Sequence, residues 1–232
     1  MSSSAHLSRR RRSRVRSRPG RPPVDAESDV RSALLDAASK LFLKHGFDRA
    51  TARQIAVAAG ATPAMIHYYF GNKLGLFRAM LERVIGPVRE LIAASLQSGL
   101  VDPAMLIRMH MQTVAANPWI ATLIVNEVLA EKGRFRSTFV REVAGRQAPL
   151  VMELLQRART NGAVREDLDV RFAALSLMSL CMFPFLARHV AGPVLGLKFD
   201  EDEIERLIAH TARLFAIGTT PAARATRQEH RA

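Results

Sequence analysis

The fold of this chain is decided by residues 51–70, TARQIAVAAGATPAMIHYYF. Thr51 opens the stretch, and its hydroxyl can accept a hydrogen bond from a free amide at a helix start. Gly60 ends the first helix, because glycine adopts the left-handed conformation of a helix C-terminus without steric cost. Thr62 and Pro63 begin the next helix, since proline at the first helical position loses no backbone bond. The stretch therefore predicts two short helices joined by a tight turn.

The second of these helices has an inward and an outward side. Ile66 and Phe70 are predicted to anchor it inward, while small residues in the preceding helix allow the two helices to approach closely. In a helix-turn-helix, the second helix enters the major groove of DNA. The side chains predicted to face outward are Ala64, Met65, His67, Tyr68 and Tyr69. An ordinary helical hairpin would not need a His-Tyr-Tyr run on this exposed side.

The string TARQIAVAAGATPAMIHYYFGNKLGLF, residues 51–77, resembles the DNA-binding domain of the TetR/AcrR family of bacterial repressors. The shared features are the opening threonine, the segment I-A-x-x-A-G, a small polar cap, and Y-Y-F followed by Lys73. The resemblance extends from about Val30 to Leu81, and the rest of the chain resembles the family only in length and helical pattern. It implies an all-α fold, with a three-helix helix-turn-helix domain and a C-terminal helical domain for ligand binding and dimerisation.

The positive charge of the chain is concentrated at its amino end. The formal net charge is +13, and eight arginines precede the first acidic residue, Asp25, which leaves +5 for the remainder. Residues 1–24 are predicted to be a disordered arm that binds DNA and makes that binding strongly salt-dependent. Arg18 and Arg21 flank a Pro-Gly step that resembles an AT-hook, although proline stands where arginine would precede the glycine. The arm therefore either reads a minor groove or contacts phosphates only.

Composition restricts the class of protein. A single cysteine, Cys181, excludes an internal disulfide framework and lies in an apolar run, which favours a buried, inert thiol. We expect no secretory signal, because no apolar segment follows the basic amino end. The most apolar stretch, residues 172–187, is too short for a bilayer span. A cytoplasmic protein associated with the nucleoid, without a membrane partner, is predicted.

Periodicity predicts the remaining helices. The first helix runs over Ala26–His45 and ends at Gly46, and a long helix from Lys73 is kinked or broken at Gly86-Pro87. A loop is predicted over residues 192–196. The further predicted helices are Pro103–Ala116, Pro118–Lys132, Ser137–Asn161, Val170–His189 and Asp202–Ile217.

These elements divide the chain into four parts. The predicted parts are an arm (1–24), a helix-turn-helix domain (25–75), a helical regulatory and dimerisation domain (76–218) and a flexible tail (219–232). The helix from Val170 is apolar almost all round, and such a helix must be covered on every side. The resemblance implies that the last two helices of each subunit form an isologous homodimer. A dimer would place two reading helices about 34–36 Å apart on a palindrome.

The candidate DNA contacts follow from the predicted helix starts and the reading helix. The resemblance implies phosphate contacts from Thr51, Tyr68, Tyr69 and Lys73. Contacts to base edges are assigned to Ala64, Met65 and His67, with the first two suited to thymine methyl groups. The complete set of predicted DNA-binding residues is Thr51, Arg53, Thr62, Ala64, Met65, His67, Tyr68, Tyr69, Lys73, Arg18 and Arg21.

The signal for a small-molecule site is thinner. His110 and Glu127 are ionisable residues on apolar helix faces, and such groups either line a pocket or are satisfied inside a core. Methionine and aromatic residues could complete a cavity but also suit an ordinary core. The candidate ligand-binding residues are His110, Glu127, Trp119, Met178 and Phe183.

The predicted function is that of a sequence-specific transcriptional regulator, a dimeric repressor that binds a palindromic operator and is released by a small-molecule effector. One alternative is a DNA-bound scaffold of the same fold that recruits a protein partner without an effector. Another is an architectural protein led by its arginine arm. No phosphate loop, HExxH segment or Gly-x-Ser-x-Gly elbow is present, so we expect no enzyme, metal site or cofactor.

Overall fold

The computed structural model describes residues 24–100, 102–130 and 135–221. Within these residues the secondary structure is helical, which confirms the predicted all-α class. The predicted arm, with Arg18 and Arg21, lies outside the described residues except for its last position, and so does the tail beyond residue 221. The amino-terminal helices are α1 (Val24–Arg49), α2 (Ala52–Ala58), α3 (Pro63–Phe70) and α4 (Lys73–Ser98).

The carboxyl-terminal part contains α-helices and two short π-helical segments. The π-helical segments are π1 (Ile124–Leu129), which continues α6, and π2 (Val140–Ala144), which lies between α7 and α8. The α-helices are α5 (Pro103–Ala116), α6 (Trp119–Leu123), α7 (Arg136–Phe139), α8 (Gly145–Thr160), α9 (Val170–Leu186), α10 (Arg188–Leu195) and α11 (Glu201–Thr219).

Gly46 interrupts α1, as the sequence predicts. Its backbone has φ 75° and ψ 166°, which is not helical, and a side chain would be strained there. The residues after Gly46 therefore leave the axis of the helix and bring Phe47 into the core, where it is 8% exposed.

The helix α4 does not break at Gly86-Pro87, so of the two predicted outcomes, a kink or a break, the break is wrong. Although Pro87 cannot donate a backbone hydrogen bond, the helix is continuous from Lys73 to Ser98. Buried side chains lie on both sides of the proline, with Leu81 before it and Val88 and Ile92 after it. Packing at both ends of the helix holds the backbone helical across the missing bond.

The loop predicted over residues 192–196 is also wrong, because most of it belongs to α10. The preceding helix ends at Leu186, and the two helices are bent by 74°. Gly192 is buried, and its carbonyl oxygen accepts a hydrogen bond from Leu197 N at 2.9 Å. A Cβ at Gly192 would lie 3.1 Å from Leu197 O, so its glycine permits close packing and does not end the helix. Gly196, with φ 69°, ends it.

The π-helical segments divide two helices that the sequence predicts as continuous. The predicted helix Pro118–Lys132 becomes α6 and π1, and Lys132 lies outside the described residues. The predicted helix Ser137–Asn161 becomes α7, π2 and α8. A Cβ at Gly145 would lie 2.7 Å from Val140 O, so glycine is needed where π2 joins α8. Single π-helical turns are rare and occur often at functional sites.

The buried side chains form two hydrophobic cores that share α4. The first core joins α1, α2, α3 and the first half of α4 to residues from α6, π1 and the start of α7. The second core joins the second half of α4 to α5, α8, α9 and α11. Cys181 is buried in the second core, and burial raises its pKa to about 12, so the thiol is inert as predicted.

The length and composition of the apolar helices test the expectation that no segment spans a bilayer. Among the described residues, no single helix is long and apolar enough to cross a bilayer. Within residues 24–100, 102–130 and 135–221, the pair α9 and α10 reaches that length and composition when taken together, and the bend lies between them.

The junction between α3 and α4 depends on a glycine. A Cβ at Gly75 would overlap the carbonyl oxygen of Phe70, which is backbone and cannot rotate away. We predict that Gly75→Ala lowers the free energy of unfolding by about 1–3 kcal/mol, the usual range for an overpacked site. Chemical denaturation followed by circular dichroism measures the change.

Gly218→Ala is the matched control for this substitution. Gly218 is also helical, but a Cβ at this position would have no other atom within 4 Å, and its φ is not positive. Alanine there should leave stability unchanged or raise it by up to about 1 kcal/mol. Equal stability of Gly75→Ala and the wild type would contradict the proposed overlap.

Candidate DNA-binding surface and effector region

The start of α2 is closed by a reciprocal capping box. Thr51 Oγ1 accepts from Gln54 N at 3.2 Å, and Gln54 Oε1 accepts from Thr51 N at 2.8 Å. Thr51 is therefore the N-cap, as predicted. Its partner Gln54 was missed, although threonine followed three residues later by glutamine is the sequence signature of this motif.

The turn between α2 and α3 follows the predicted path. Gly60 has φ 64°, and Ala61 N donates to Ala56 O at 2.8 Å, which closes the end of α2. Thr62 occupies the extended N-cap position before Pro63, but its side chain makes no capping hydrogen bond. Thr62 is thus the N-cap residue by position, as predicted, and it is exposed at the start of α3.

The exposed side of α3 is narrower than the sequence predicts. Ile66 is fully buried, and successive helical residues turn by about 100°. Met65 and Tyr69 lie beside Ile66 on the helix and are half-buried against the first core, so their predicted outward orientation is only partly right. Ala64 and Tyr68 lie on the opposite side, and Tyr68 is 68% exposed.

Two contacts order the polar side chains of α3. The rings of Tyr68 and Tyr69 meet edge to face, with centroids 4.9 Å apart. His67 Nδ1 lies 2.8 Å from Gly71 O, and because a carbonyl oxygen only accepts, Nδ1 carries the hydrogen. In the neutral imidazole, Nε2 is therefore left as an acceptor on this exposed side chain.

Lys73 has a structural role that the sequence did not predict. Its Nζ donates to Phe47 O at 2.9 Å and to Ala50 O at 3.1 Å, and it lies 4.2 Å from the centre of the Phe47 ring. A lysine at the start of α4 is thus explained by carbonyls at the end of α1 without a phosphate. The predicted phosphate contact of Lys73 stays a prediction. Arg53 is exposed on the first turn of α2.

The candidate effector residues do not form one pocket. His110 is 8% exposed and has both ring nitrogens bonded, with Nδ1 donating to Leu106 O at 2.9 Å and Nε2 accepting from Gln147 Nε2 at 2.7 Å. Burial lowers the pKa of His110, which favours the neutral ring. This arrangement corresponds to the structural alternative, a core histidine satisfied by its neighbours.

Trp119 and Glu127 share a crevice between α1 and the α6–π1 segment. Its volume is about 20 Å³, which is room for about one water molecule. The other lining residues are Phe42, Leu43, Gly46, Phe47, Thr122, Leu123 and Asn126.

Phe183 lies on the exposed side of α9. The helix α9 buries Ala173, Leu177 and Cys181, and Phe183 lies about 200° around the helix from Cys181. It is 66% exposed, whereas Met178 is half-buried against the second core. Phe183 is thus exposed within one subunit, and its predicted contact with a ligand stays a prediction.

A cleft large enough for a small ligand lies at a place that the sequence did not predict. An open cleft of about 320 Å³ separates the first half of α4 from π2 and α8. Arg78 Nε lies 2.8 Å from Glu142 Oε2 across this cleft. The full lining is Arg78, Ala79, Leu81, Glu82, Thr138, Glu142, Val143 and Arg146. No local motif in the sequence marks these residues, because they come together only through packing.

The buried imidazole makes a pH dependence testable. An unfolded histidine binds a proton as the pH falls below about 6.5, whereas burial resists protonation of folded His110. Folding stability should therefore fall as the pH drops through 6.5 towards the lowered folded pKa. We predict that the stability difference between wild type and His110→Gln shrinks there by up to about 1.4 kcal/mol per pH unit.

Denaturation curves from pH 7.5 to 5.5 measure this difference, with His45→Gln as the control. His45 is exposed, so His45→Gln controls for the loss of an imidazole outside the core. A difference between wild type and His110→Gln that is constant over this range would contradict the assignment of a buried neutral ring.

Known proteins match this chain over both of its halves. Residues 34–80 match the family model of bacterial regulatory proteins of the tetR family, and residues 104–214 match the model of the tetracyclin repressor-like C-terminal domain. The chain is 28% identical over 179 residues to the HTH-type transcriptional repressor NicS of Pseudomonas putida, covering 75% of this chain and 84% of that protein.

A second relative and a solved structure extend these matches. The chain is 31% identical over 151 residues to the "Probable acrEF/envCD operon repressor" of Escherichia coli strain K12, covering 61% of this chain and 67% of that protein. The fold is similar to that of the fatty acid degradation regulator FadR from Bacillus halodurans, with a TM-score of 0.61, 22% identity, and coverage of 80% of this chain and 94% of that one. This chain belongs to the TetR family of bacterial regulatory proteins and is a DNA-binding transcriptional regulator.

Proposed function

We propose that this chain is a dimeric repressor that binds a palindromic operator through α2 and α3 and is released by a small-molecule effector. Its place of action would be the cytoplasm, at the nucleoid. The observation that carries the proposal is the capped helix-turn-helix, in which Ile66 fastens α3 to the core while Tyr68 stays exposed. Curated relatives that are repressors favour this function over a scaffold that recruits a partner.

Phosphate contacts are assigned to the helix starts and to the tyrosine pair. Tyr68 has the exposure that such a contact needs, and Thr51 and Thr62 precede helices whose free amides attract anions. Lys73 would reach a phosphate only by sharing its ammonium with Phe47 O and Ala50 O. Tyr69 and Arg53 complete the proposed set.

Base contacts are assigned first to Ala64 and His67, because Met65 is half-buried. Ala64 suits a thymine methyl group. The free acceptor of neutral His67, Nε2, suits an amino group in the major groove, which only adenine N6 and cytosine N4 offer. The proposed reading helix therefore favours adenine or cytosine over thymine or guanine on the strand that faces His67.

The arm is proposed to add affinity in either of two ways. Arg18 and Arg21 would lie in a narrow minor groove, or the arginines would contact phosphates without reading sequence. Both predict a steep loss of affinity with salt. Only the first predicts a preference for A·T-rich flanks beside the operator.

Tyr68→Phe tests the proposed phosphate contact. The substitution removes one hydroxyl from an exposed ring and keeps the edge-to-face contact with Tyr69. We predict about tenfold weaker binding to operator and unrelated DNA alike, because a hydrogen bond to a charged group is worth about 1.5–3 kcal/mol. Fluorescence anisotropy with both DNAs measures the loss. A changed base preference with unchanged overall affinity would contradict the assignment.

An exposed apolar face on the carboxyl-terminal helices supports the dimer. On α9 this face consists of Phe172, Leu175 and Phe183, which are 65–68% exposed, and Ser176 and Ser179 lie between them. Leu214 and Ile217 are exposed apolar residues of α11, and we propose that they extend this face. The small serines would let α9 and its copy approach closely, while the larger side chains would be removed from water.

The effector is proposed to act through α4. The cleft of about 320 Å³ lies against the first half of this helix, and its volume falls within the range of ligand sites. A ligand there would separate α4 from π2 or draw them together, and α4 passes directly into the second core. A regulatory part without such a cleft would have favoured the alternative of a DNA-bound scaffold that has no effector. The cleft therefore supports release by a small molecule.

Footprinting on the DNA around the gene for this protein tests the operator and the dimer together. Wild type should protect two half-sites about one helical turn apart. Phe183→Asp would place two buried carboxylates in the proposed dimer interface, so it should give monomers in sedimentation analysis and no footprint. Because Phe183 is exposed within one subunit, the variant should keep its helical spectrum.

Two further samples complete the experiment. Leu100→Asp also changes an exposed apolar residue, 73% exposed, outside the α9–α11 face, and should keep both the dimer and the footprint. A chain without residues 1–24 should protect the same palindrome at lower salt. A dimeric, fully protecting Phe183→Asp would disprove the interface, and loss of all sequence preference without the arm would favour the architectural alternative.

A further inference from the structure

Phe135 follows π1 in the chain but packs into the first core. It is 4% exposed, and its ring stacks on Phe77 of α4 with centroids 4.5 Å apart. It also meets the edge of Phe47 at 4.4 Å. Phe42 contacts both Phe47 and Phe77, at 5.2 and 5.8 Å, so the four rings form one aromatic cluster. Three of these rings come from α1 and α4, and the fourth comes from the carboxyl-terminal part.

Hydrogen bonds join Phe135 and Arg136 to the second half of π1 and hold Phe135 in the cluster. Phe135 N donates to Glu127 O at 3.1 Å. The next side chain, Arg136, donates from Nε to Val128 O at 3.0 Å and from Nη2 to Leu129 O and Ala130 O at 3.3 and 2.6 Å. These carbonyls end π1, where a helix leaves its acceptors unpaired and favours a cation. The guanidinium thus ties the end of π1 to the start of α7.

The aromatic cluster adjoins the elements that carry the reading helix. Phe47 lies beyond the break in α1 at Gly46, and both its ring and its carbonyl contact Lys73. Lys73 is the first residue of α4 and directly follows the turn from α3. A shift of Phe135 would therefore be felt by Phe47 and Phe77, on both sides of the α3–α4 junction.

We infer that Phe135 is a positioning residue for DNA binding: the π1 segment and Arg136 seat its ring in the aromatic cluster, and α3 keeps its DNA-binding arrangement only while the ring is seated. This inference rests on the proposed function and assigns part of its regulation to π1 and to residues 135 and 136. The π-helical turn suits such a role, because it is a rare backbone state that neighbouring packing must maintain. A ligand or a movement that releases Arg136 from its carbonyls would withdraw Phe135 and loosen α3.

The experiment compares four variants of the full chain by operator affinity and by amide hydrogen exchange. Phe135→Ala should bind the operator at least tenfold more weakly and exchange faster over residues 47–70, while remaining dimeric. Phe135→Leu should recover part of both losses. Arg136→Gln should reproduce the losses in smaller measure, although the hydrogen bonds of Arg136 go to π1 and Ala130. Should Phe135→Ala not accumulate as folded protein, Phe135→Leu and Arg136→Gln supply the comparison.

Leu106→Ala is the matched control. Leu106 is fully buried in the second core, so its truncation lowers stability without touching the aromatic cluster. It should bind operator within about twofold of wild type and leave exchange over residues 47–70 unchanged. Equal loss of affinity in Leu106→Ala and Phe135→Ala would overturn the inference, and so would wild-type affinity and exchange in Arg136→Gln.

The two readouts separate this inference from the proposed function. Hydrogen exchange over residues 47–70 needs no operator, so it tests the seating of Phe135 even if wild type protects no palindrome. If wild type protects no palindrome, the proposed repressor function is wrong. If Phe135→Ala leaves exchange over residues 47–70 unchanged, only the positioning role of Phe135 is wrong.

Discussion

The packing of one helix, α4, into two hydrophobic cores is the constraint on which the rest of the structure depends. Phe77 and Met80 belong to the first core, and Val88 and Ile92 belong to the second. The helix stays continuous between them despite Pro87. Because a continuous helix resists bending, a displacement of α4 as a whole in one core also moves its residues in the other core. The reading helix and the regulatory part are thereby joined mechanically.

The second link between the two parts is made of side chains. Phe135 and the crevice lined by Trp119 and Glu127 place residues from α6, π1 and α7 against α1. The first core is consequently not confined to the helices that carry the DNA-binding residues. Interiors are close-packed and respond to strain as a unit, so a contact of this kind transmits displacement as well as stability. A linkage through both α4 and the aromatic cluster constrains α3 from two sides.

Some polar side chains near the reading helix α3 already form hydrogen bonds within the protein. The hydroxyl of Thr51 is used in the capping box, and the ammonium of Lys73 is held by carbonyls at the end of α1. The exposed hydroxyl of Tyr68 and the Nε2 acceptor of His67 lie outside this internal bonding. The contrast separates residues that hold the reading helix in place from those on which specific contacts can depend.

Local signals were sufficient for the helix-turn-helix. Thr51 as a cap, the left-handed Gly60 and the buried Ile66 were all predictable, because caps and helical periodicity act over a few neighbouring residues. The all-helical class and the family were equally predictable from the same stretch. The capping partner Gln54 could also have been found, since its spacing from Thr51 is a local signature.

Tertiary structure alone decided which distant segments meet. The sequence around a single histidine, phenylalanine or lysine does not indicate which distant residue it contacts. His110 is bonded to Gln147, and Lys73 is bonded to a carbonyl of α1. Phe183 is exposed. The same holds for Phe135, whose place among three other rings depends on a path through π1 that periodicity does not reveal. The sequence by itself determined the helix-turn-helix and the helical class, because both depend on residues that are neighbours in the chain. The linkage between the helix-turn-helix and the carboxyl-terminal part depends on residues that are neighbours in space. Only tertiary packing determines which residues these are.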